Sequence, residues 1–215
     1  MTKYSKPSCN RIAAPALSTL LVVLLAAQGT IGFSYPLSPQ AIREAYFLGK
    51  ENPEERQAFL KPYKHNLPMP ESGPHVGLIE VETPFVFVAE AVAAAGENYH
   101  AQDVDREFAG KPLPFRVHFE IYFTATYPDV FDTAASLGKF WEDFTVYLKQ
   151  STEIAPRTVK GQPIYSDATV SGYKGAVIDV DYDVKKIDAD APVTIGVNTP
   201  DEQNVETTFD LSQLR

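Results

Sequence analysis

The feature that most constrains this chain is a repeated alternation of apolar and polar residues with a period of two. In such a run one set of alternate side chains is buried and the other is wetted, which is typical of antiparallel sheets with one solvated face. The clearest run is 116–124, with Val117, Phe119, Ile121 and Phe123 on one face and His118, Glu120 and Tyr122 on the other. The same pattern predicts strands at 76–82, 140–149, 176–184, 193–197 and 205–211.

Helix signals lie before and between the first of these strands. Ser38 followed by Pro39 and Asn52 followed by Pro53 are N-cap and first-turn pairs, so they predict two short N-terminal helices. Thr83 and Pro84 open an alanine-rich run to residue 95, although its apolar start at 85–88 is equally compatible with a longer strand. A further helix is expected over 100–109.

These elements predict an α+β fold. We expect an antiparallel β-sandwich or a curved open sheet, with short N-terminal helices and one or two helices between the early strands. None of the 17 prolines interrupts a predicted strand. Residues 35–215 are enough for a single globular domain with its own core.

The N-terminus predicts export. Three basic residues, Lys3, Lys6 and Arg11, precede an apolar run over 12–27, and small residues follow it. This order is that of a secretory signal peptide, and the apolar run is short for a membrane span. We expect a signal peptide over 1–34 with cleavage between 27 and 35, and a periplasmic or extracellular protein without a membrane span.

Charge and cysteine content narrow the partners. The chain has a formal net charge of −9, and removal of the basic leader would leave a still more negative protein. An acidic surface disfavours nucleic acid and anionic lipid, so neither is an expected partner. The one cysteine, Cys9, lies in the leader, so the mature protein is expected to be free of disulfides.

Metal binding is a hypothesis for two sets of side chains. His118 and Glu120 share one face of the strand at 116–124 and can together donate two ligands. Asp179, Asp181 and Asp183 form a stripe on the strand at 176–184, with weak cation binding as its functional interpretation. The competing interpretation is that both sets are solvated strand faces, and we expect the aspartate stripe to be solvated.

Exposed aromatic residues are candidates for ligand binding. Tyr122, Trp141 and Tyr147 fall on or near the polar phases of their strands, where aromatic rings can stack on sugars. Aromatic residues serve equally in cores, so this hypothesis depends on their exposure.

Catalytic motifs are missing from the sequence. It has no Gly-x-Ser-x-Gly elbow, no thiol outside the leader and no glycine-rich phosphate loop, and we predict neither catalytic residues nor a cofactor.

One segment carries a resemblance. Directly after the leader, residues 34–49 read SYPLSPQAIREAYFLG, and Gly73, Pro74, Thr83, Pro84 and Phe85 follow later. These residues resemble a family of uncharacterised exported bacterial proteins. The resemblance implies export and a bacterial origin, and it implies no activity and no site residues.

Two functions follow as expectations. The first is an exported non-catalytic binding or structural module that recognises a protein or surface ligand. The alternative is a carboxylate-dependent hydrolase of the cell envelope or extracellular space, because acid–base carboxylates leave little trace in a sequence. The two differ in whether Glu80, Glu82, Glu120 and the aspartates converge in a cleft.

Overall fold

The computed structural model describes residues 32–68, 74–123, 140–165 and 173–215. Residues 1–31, which include Cys9 and most of both the predicted signal peptide and the cleavage window, lie outside the described residues. Within them the chain forms four α-helices and two antiparallel sheets of five and three strands, so the fold class is α+β as predicted.

The helices begin where the sequence places their caps. Helix α1 spans Pro39–Lys50 and α2 spans Pro53–Leu60, with side chains of Ser38 and Asn52 accepting hydrogen bonds from first-turn amides. Helix α3, Pro84–Ala95, is capped by Thr83, so the ambiguous run at 85–88 is helical. Helix α4 spans Ala101–Phe108.

The five-stranded sheet has the order β1-β2-β3-β6-β5. Its strands are β1 Lys64–Asn66, β2 Pro74–Glu82, β3 Phe115–Phe123, β5 Thr158–Tyr165 and β6 Tyr173–Tyr182. The sequence pattern missed β1 and β5. Strand β1 is only three residues long, and β5 contains Gly161 and Pro163, which is tolerated because β5 is an edge strand.

The three-stranded sheet has the order β4-β7-β8, with β4 Thr145–Lys149, β7 Pro192–Asn198 and β8 Asn204–Asp210. The predicted strand at 140–149 is wrong in its first half, because Phe140–Asp143 is a 3-10 helix. The predicted strand at 176–184 ends at Tyr182, and Val184–Lys186 is a 3-10 turn.

One continuous core joins both sheets and the helices. Val117, Phe119 and Ile121 on β3 are fully buried, as their alternation predicts, and the packing extends to Ile195 on β7 and to Ile42 on α1. No helix among the described residues is both long and apolar enough to cross a membrane.

Candidate functional site

The strand register brings most of the predicted polar residues together on the outer face of the five-stranded sheet. One row of side chains crosses all five strands in the sheet order β1-β2-β3-β6-β5. It consists of Lys64, Glu80, His118, Asp179 and Lys160. A second row contains Glu82, Arg116, Asp181 and Thr158. We call these nine residues, together with Glu120 on β3, the charged face.

His118 is the centre of the charged face. Its Nδ1 donates to Asp179 Oδ1 at 2.8 Å, and its Nε2 lies 3.7 Å from Glu120 Oε1. Burial lowers the pKa of His118, but the hydrogen bond and charge of Asp179 outweigh burial and raise it above its ordinary value. Burial alone would raise the pKa of Asp179, but the hydrogen bond and charge of His118 lower it below its ordinary value. Each group therefore stabilises the charged form of the other.

Arg116 organises the second row. Its Nε donates to Asp181 Oδ1 at 2.7 Å, a second nitrogen lies 3.8 Å from Glu82 Oε2, and the guanidinium lies 4.9 Å from the centre of the Phe87 ring. Thr158 also donates to Asp181. Asp181 is thus held from two sides, whereas Glu82 has a longer contact.

Burial destabilises the ionised form of two glutamates on β2. Burial raises the pKa of Glu82 to about 7, against the opposing charge of Arg116. Burial also raises the pKa of Glu80, whose Oε1 lies 3.1 Å from Lys64 Nζ. Glu82 is therefore a carboxylate that takes up a proton near neutral pH.

The expected solvated aspartate stripe is wrong. Asp179 and Asp181 are half-buried and paired with His118 and Arg116, because β3 lies beside β6 in a register that matches opposite charges. Asp183 lies beyond the strand, where its side chain caps the 3-10 turn by accepting from Lys185 N.

For the metal hypothesis, His118, Glu120 and Asp179 lie together, while Asp181 is bonded to Arg116 and Asp183 is a cap. Among the described residues no group of three or more histidine, cysteine, aspartate or glutamate side chains is arranged to hold a metal ion.

The three aromatic candidates share a different arrangement, in which each ring lies over a strand glycine. A Cβ added to Gly77, Gly161 or Gly196 would come within 3.0 Å of the ring of Tyr122, Trp141 or Tyr147, respectively. These rings fill the space that the glycines leave open.

Tyr147 shows why this arrangement matters for ligand binding. It is only 6% exposed, its hydroxyl donates to Glu206 at 2.9 Å, and Lys149 Nζ lies 4.3 Å from its ring centre. The ring is therefore covered by the protein. Tyr122 and Trp141 are half-buried.

A cavity of about 510 Å³ lies at one end of the three-stranded sheet. It is lined by residues 150–155, which follow β4, and by Lys186, Asp188 and Ala191, which lie between β6 and β7. We call it the loop cavity. The sequence does not indicate this cavity, because its residues lie on loops with no periodicity or motif.

Gln150 ties together the two loops that form this cavity. Its Nε2 donates to the carbonyl oxygens of Asp188 and Ala191, at 2.8 and 3.3 Å, and its Oε1 accepts from Asp188 N at 2.8 Å. One side chain thus fixes both walls.

The charges of the loop cavity differ from those of the charged face. Lys186, Glu153 and Asp188 are all exposed, and among the described residues none of the three is within ion-pair distance of an opposite charge. The cavity therefore presents one ammonium group and two carboxylates to solvent.

Two further cavities lie elsewhere. One of about 430 Å³ lies between the start of β2 and the start of β8, and its single carboxylate, Glu206, already accepts from Tyr147. The other, of about 350 Å³, lies between the ends of α1 and α3.

Comparisons with known proteins add little to this geometry. No family model matches the chain, and a search of curated proteins gave no match. The chain is similar to a crystal structure of a protein of unknown function from Burkholderia pseudomallei K96243, with a TM-score of 0.37 and 13% sequence identity. That alignment covers 85% of this chain and 95% of the other.

Proposed function

We propose that this chain is an exported, non-catalytic binding module that takes its ligand at the loop cavity. One observation carries the proposal. The ionisable groups at the centre of the charged face are engaged with one another, whereas those of the loop cavity have no ionic partner among the described residues. Charged groups that line a concave surface and have no partner in the protein are available to orient a ligand.

Export is supported by the leader and by the resemblance to exported bacterial proteins. Phe33 also bears on the cleavage position, because its side chain is buried and lies 5.7 Å, centre to centre, from the Phe115 ring. Cleavage after Phe33 would remove a core residue. We therefore expect the mature protein to begin at or before Phe33, which narrows the window of 27–35.

Two measurements test this function. Mass spectrometry of the exported protein should find an N-terminus between residues 28 and 33, and intact Met1 would contradict export. Thermal-shift screening of the mature protein against small polar compounds should find a stabilising ligand whose effect is lost in Lys186→Gln. A ligand that stabilises both proteins equally would place binding elsewhere.

A carboxylate-dependent hydrolase is the second candidate, favoured by one specific observation. Glu82 has a pKa of about 7, whereas Asp179, on the same face, has a lowered pKa. Two carboxylates with pKa values moved in opposite directions are the usual basis of acid and base roles.

Chromogenic ester and glycoside substrates distinguish the two functions. Hydrolysis that is lost in both Glu82→Gln and Asp179→Asn, with each variant still folded by circular dichroism, would favour the hydrolase. Hydrolysis that survives either substitution would count against it. The binding function predicts no hydrolysis that depends on these carboxylates.

A further inference from the structure

We propose that the ligand of the loop cavity is a small zwitterion, an α-amino acid with a basic side chain. This inference rests on the proposed binding function and names its ligand class.

The cavity has a suitable size and a fixed shape. Its volume of about 510 Å³ lies within the range of small-molecule sites. The three hydrogen bonds of Gln150 hold the 188–191 turn against the segment after β4, and Ile154 N donates to Leu148 O at 2.8 Å to anchor that segment to the strand. Pre-organised walls reduce the entropy lost on binding.

Lys186 supplies the positive charge, and its backbone is held in place. It ends a 3-10 turn that Asp183 caps, and its own amide donates to Asp183 O at 2.9 Å. Lys186 lines the cavity, and the hydroxyl-bearing residues Ser151 and Thr152 also line it. An ammonium group with nearby hydroxyl donors is suited to a carboxylate ligand.

Glu153 and Asp188 supply the negative charges. Asp188 uses Oδ1 to accept from Asp190 N at 3.0 Å, and Glu153 has no side-chain hydrogen bond among the described residues. Two carboxylates beside one ammonium match a ligand with one carboxylate and two ammonium groups. Ile154, Ala155 and Ala191 also line the cavity and offer an apolar wall for a methylene chain.

The balance of charges selects this ligand class over its neighbours. A simple anion would meet two repelling carboxylates, and a simple cation would leave Lys186 unpaired and repelled. A neutral sugar would use none of the charges. A basic amino acid pairs with all three, and the acidic protein as a whole attracts its net positive charge.

L-lysine is the probe that tests this inference, by NMR titration of the mature protein. Saturable shifts of amides in 150–155 and 186–191 are expected. Lys186→Gln should weaken binding by about tenfold or more, as expected for losing a charged partner in a site. The matched control is Lys185→Gln, because Lys185 is exposed on the same turn but does not line the cavity, and it should change affinity less than about twofold.

Half-ligands sharpen the test. Propionate and butylamine carry one charge each and should bind at least about tenfold more weakly than L-lysine. Glu153→Gln should reduce affinity for L-lysine more than for glycine. Thermal melts of all variants should match the parent, which excludes unfolding as the cause.

The zwitterion inference and the binding function can be overturned separately. No saturable shift up to about 10 mM L-lysine, or equal losses in Lys186→Gln and Lys185→Gln, would overturn the zwitterion inference. Binding of a neutral sugar or an anion at these same amides would also overturn it, while the binding function would stand. Hydrolysis that depends on Glu82 and Asp179 would overturn the binding function itself.

Discussion

The charged face and the loop cavity both contain acidic and basic side chains, which are paired and half-buried at the centre of the charged face and, in the described part of the chain, exposed without an ionic partner at the loop cavity. On the charged face, strand register places Asp179 beside His118 and Asp181 beside Arg116, and burial makes each pair depend on both partners. At the loop cavity, Lys186 and Glu153 are exposed and have no ionic partner among the described residues. Charged side chains that pair with each other stabilise the fold and are not available to a ligand. Charged side chains without a partner, on rigid loops, remain available to one.

The largest difference is expected in the stability of matched alanine variants. Arg116→Ala leaves Asp181 and Glu82 half-buried without their cation, and it should lower the free energy of unfolding by about 3–5 kcal/mol. Lys186→Ala, at an exposed position, should change it by less than about 0.5 kcal/mol. Urea denaturation measures both. Equal costs would show that the charged face contributes no more to stability than the cavity rim.

The second prediction concerns pH. The folded-state pKa of Glu82 is about 7 and its ordinary value is 4.5, so the folded state favours the protonated carboxyl. This contribution is fully present below about pH 4.5 and is lost as the pH rises through 7, a change of about 3 kcal/mol. Glu82→Gln should therefore flatten the fall in stability between pH 5 and pH 8.

The surroundings of Glu82 set the control for this experiment. Arg116 lowers its pKa, as does His118, while Glu80 and Asp179 raise it. Glu97→Gln removes an exposed carboxyl after α3 and should keep the parent slope in pH-dependent urea denaturation. An unchanged slope in Glu82→Gln would mean that another group controls the pH dependence.

The third prediction concerns the rigidity of the loop cavity. Gln150→Ala removes three hydrogen bonds to the 188–191 turn, which should cost about 1–2 kcal/mol and speed amide hydrogen exchange in that turn. Gln162→Ala, an exposed position on the edge strand β5, should change neither. If exchange in 188–191 stayed slow in Gln150→Ala, the turn would be rigid for other reasons.

Local signals in the sequence predicted most of the helices and strands that carry the charged face and the loop cavity. Caps at Ser38, Asn52 and Thr83 act on the next three residues, so they can be read without tertiary context. The long alternating run of β3 predicted its buried face for the same reason. Strand β5 was missed because its Gly161 and Pro163 are tolerated only at a sheet edge, and edge position is a property of the whole sheet.

The functional interpretation depended on information that one segment does not contain. The aspartates of β6 look solvated in isolation, and only the pairing with β3 shows that His118 and Arg116 neutralise them. Tyr147 looks exposed until the register places it over Gly196. The loop cavity joins residues more than 30 positions apart through Gln150 and Asp188, so no motif could announce it.

The smallest expected effect concerns Tyr182, at the end of β6. Its side chain is fully buried, and its hydroxyl has no hydrogen-bond partner among the described residues. Burial raises the pKa of Tyr182, and so does the negative charge of Glu153, which lines the loop cavity. Because a buried unpaired hydroxyl costs free energy, Tyr182→Phe should raise the free energy of unfolding by up to about 1 kcal/mol.

Tyr63 is the matched control, because its buried hydroxyl is paired. It accepts from Arg215 N at 2.7 Å and donates to Arg215 O at 3.2 Å, so Tyr63→Phe should lower stability by about 1–2 kcal/mol. Opposite signs in urea denaturation would confirm that Tyr182 adds nothing to folding through its hydroxyl. A loss of stability in Tyr182→Phe would instead show that a bound water or ligand pairs with that hydroxyl. The loop cavity would then extend past Glu153 to the buried hydroxyl of Tyr182.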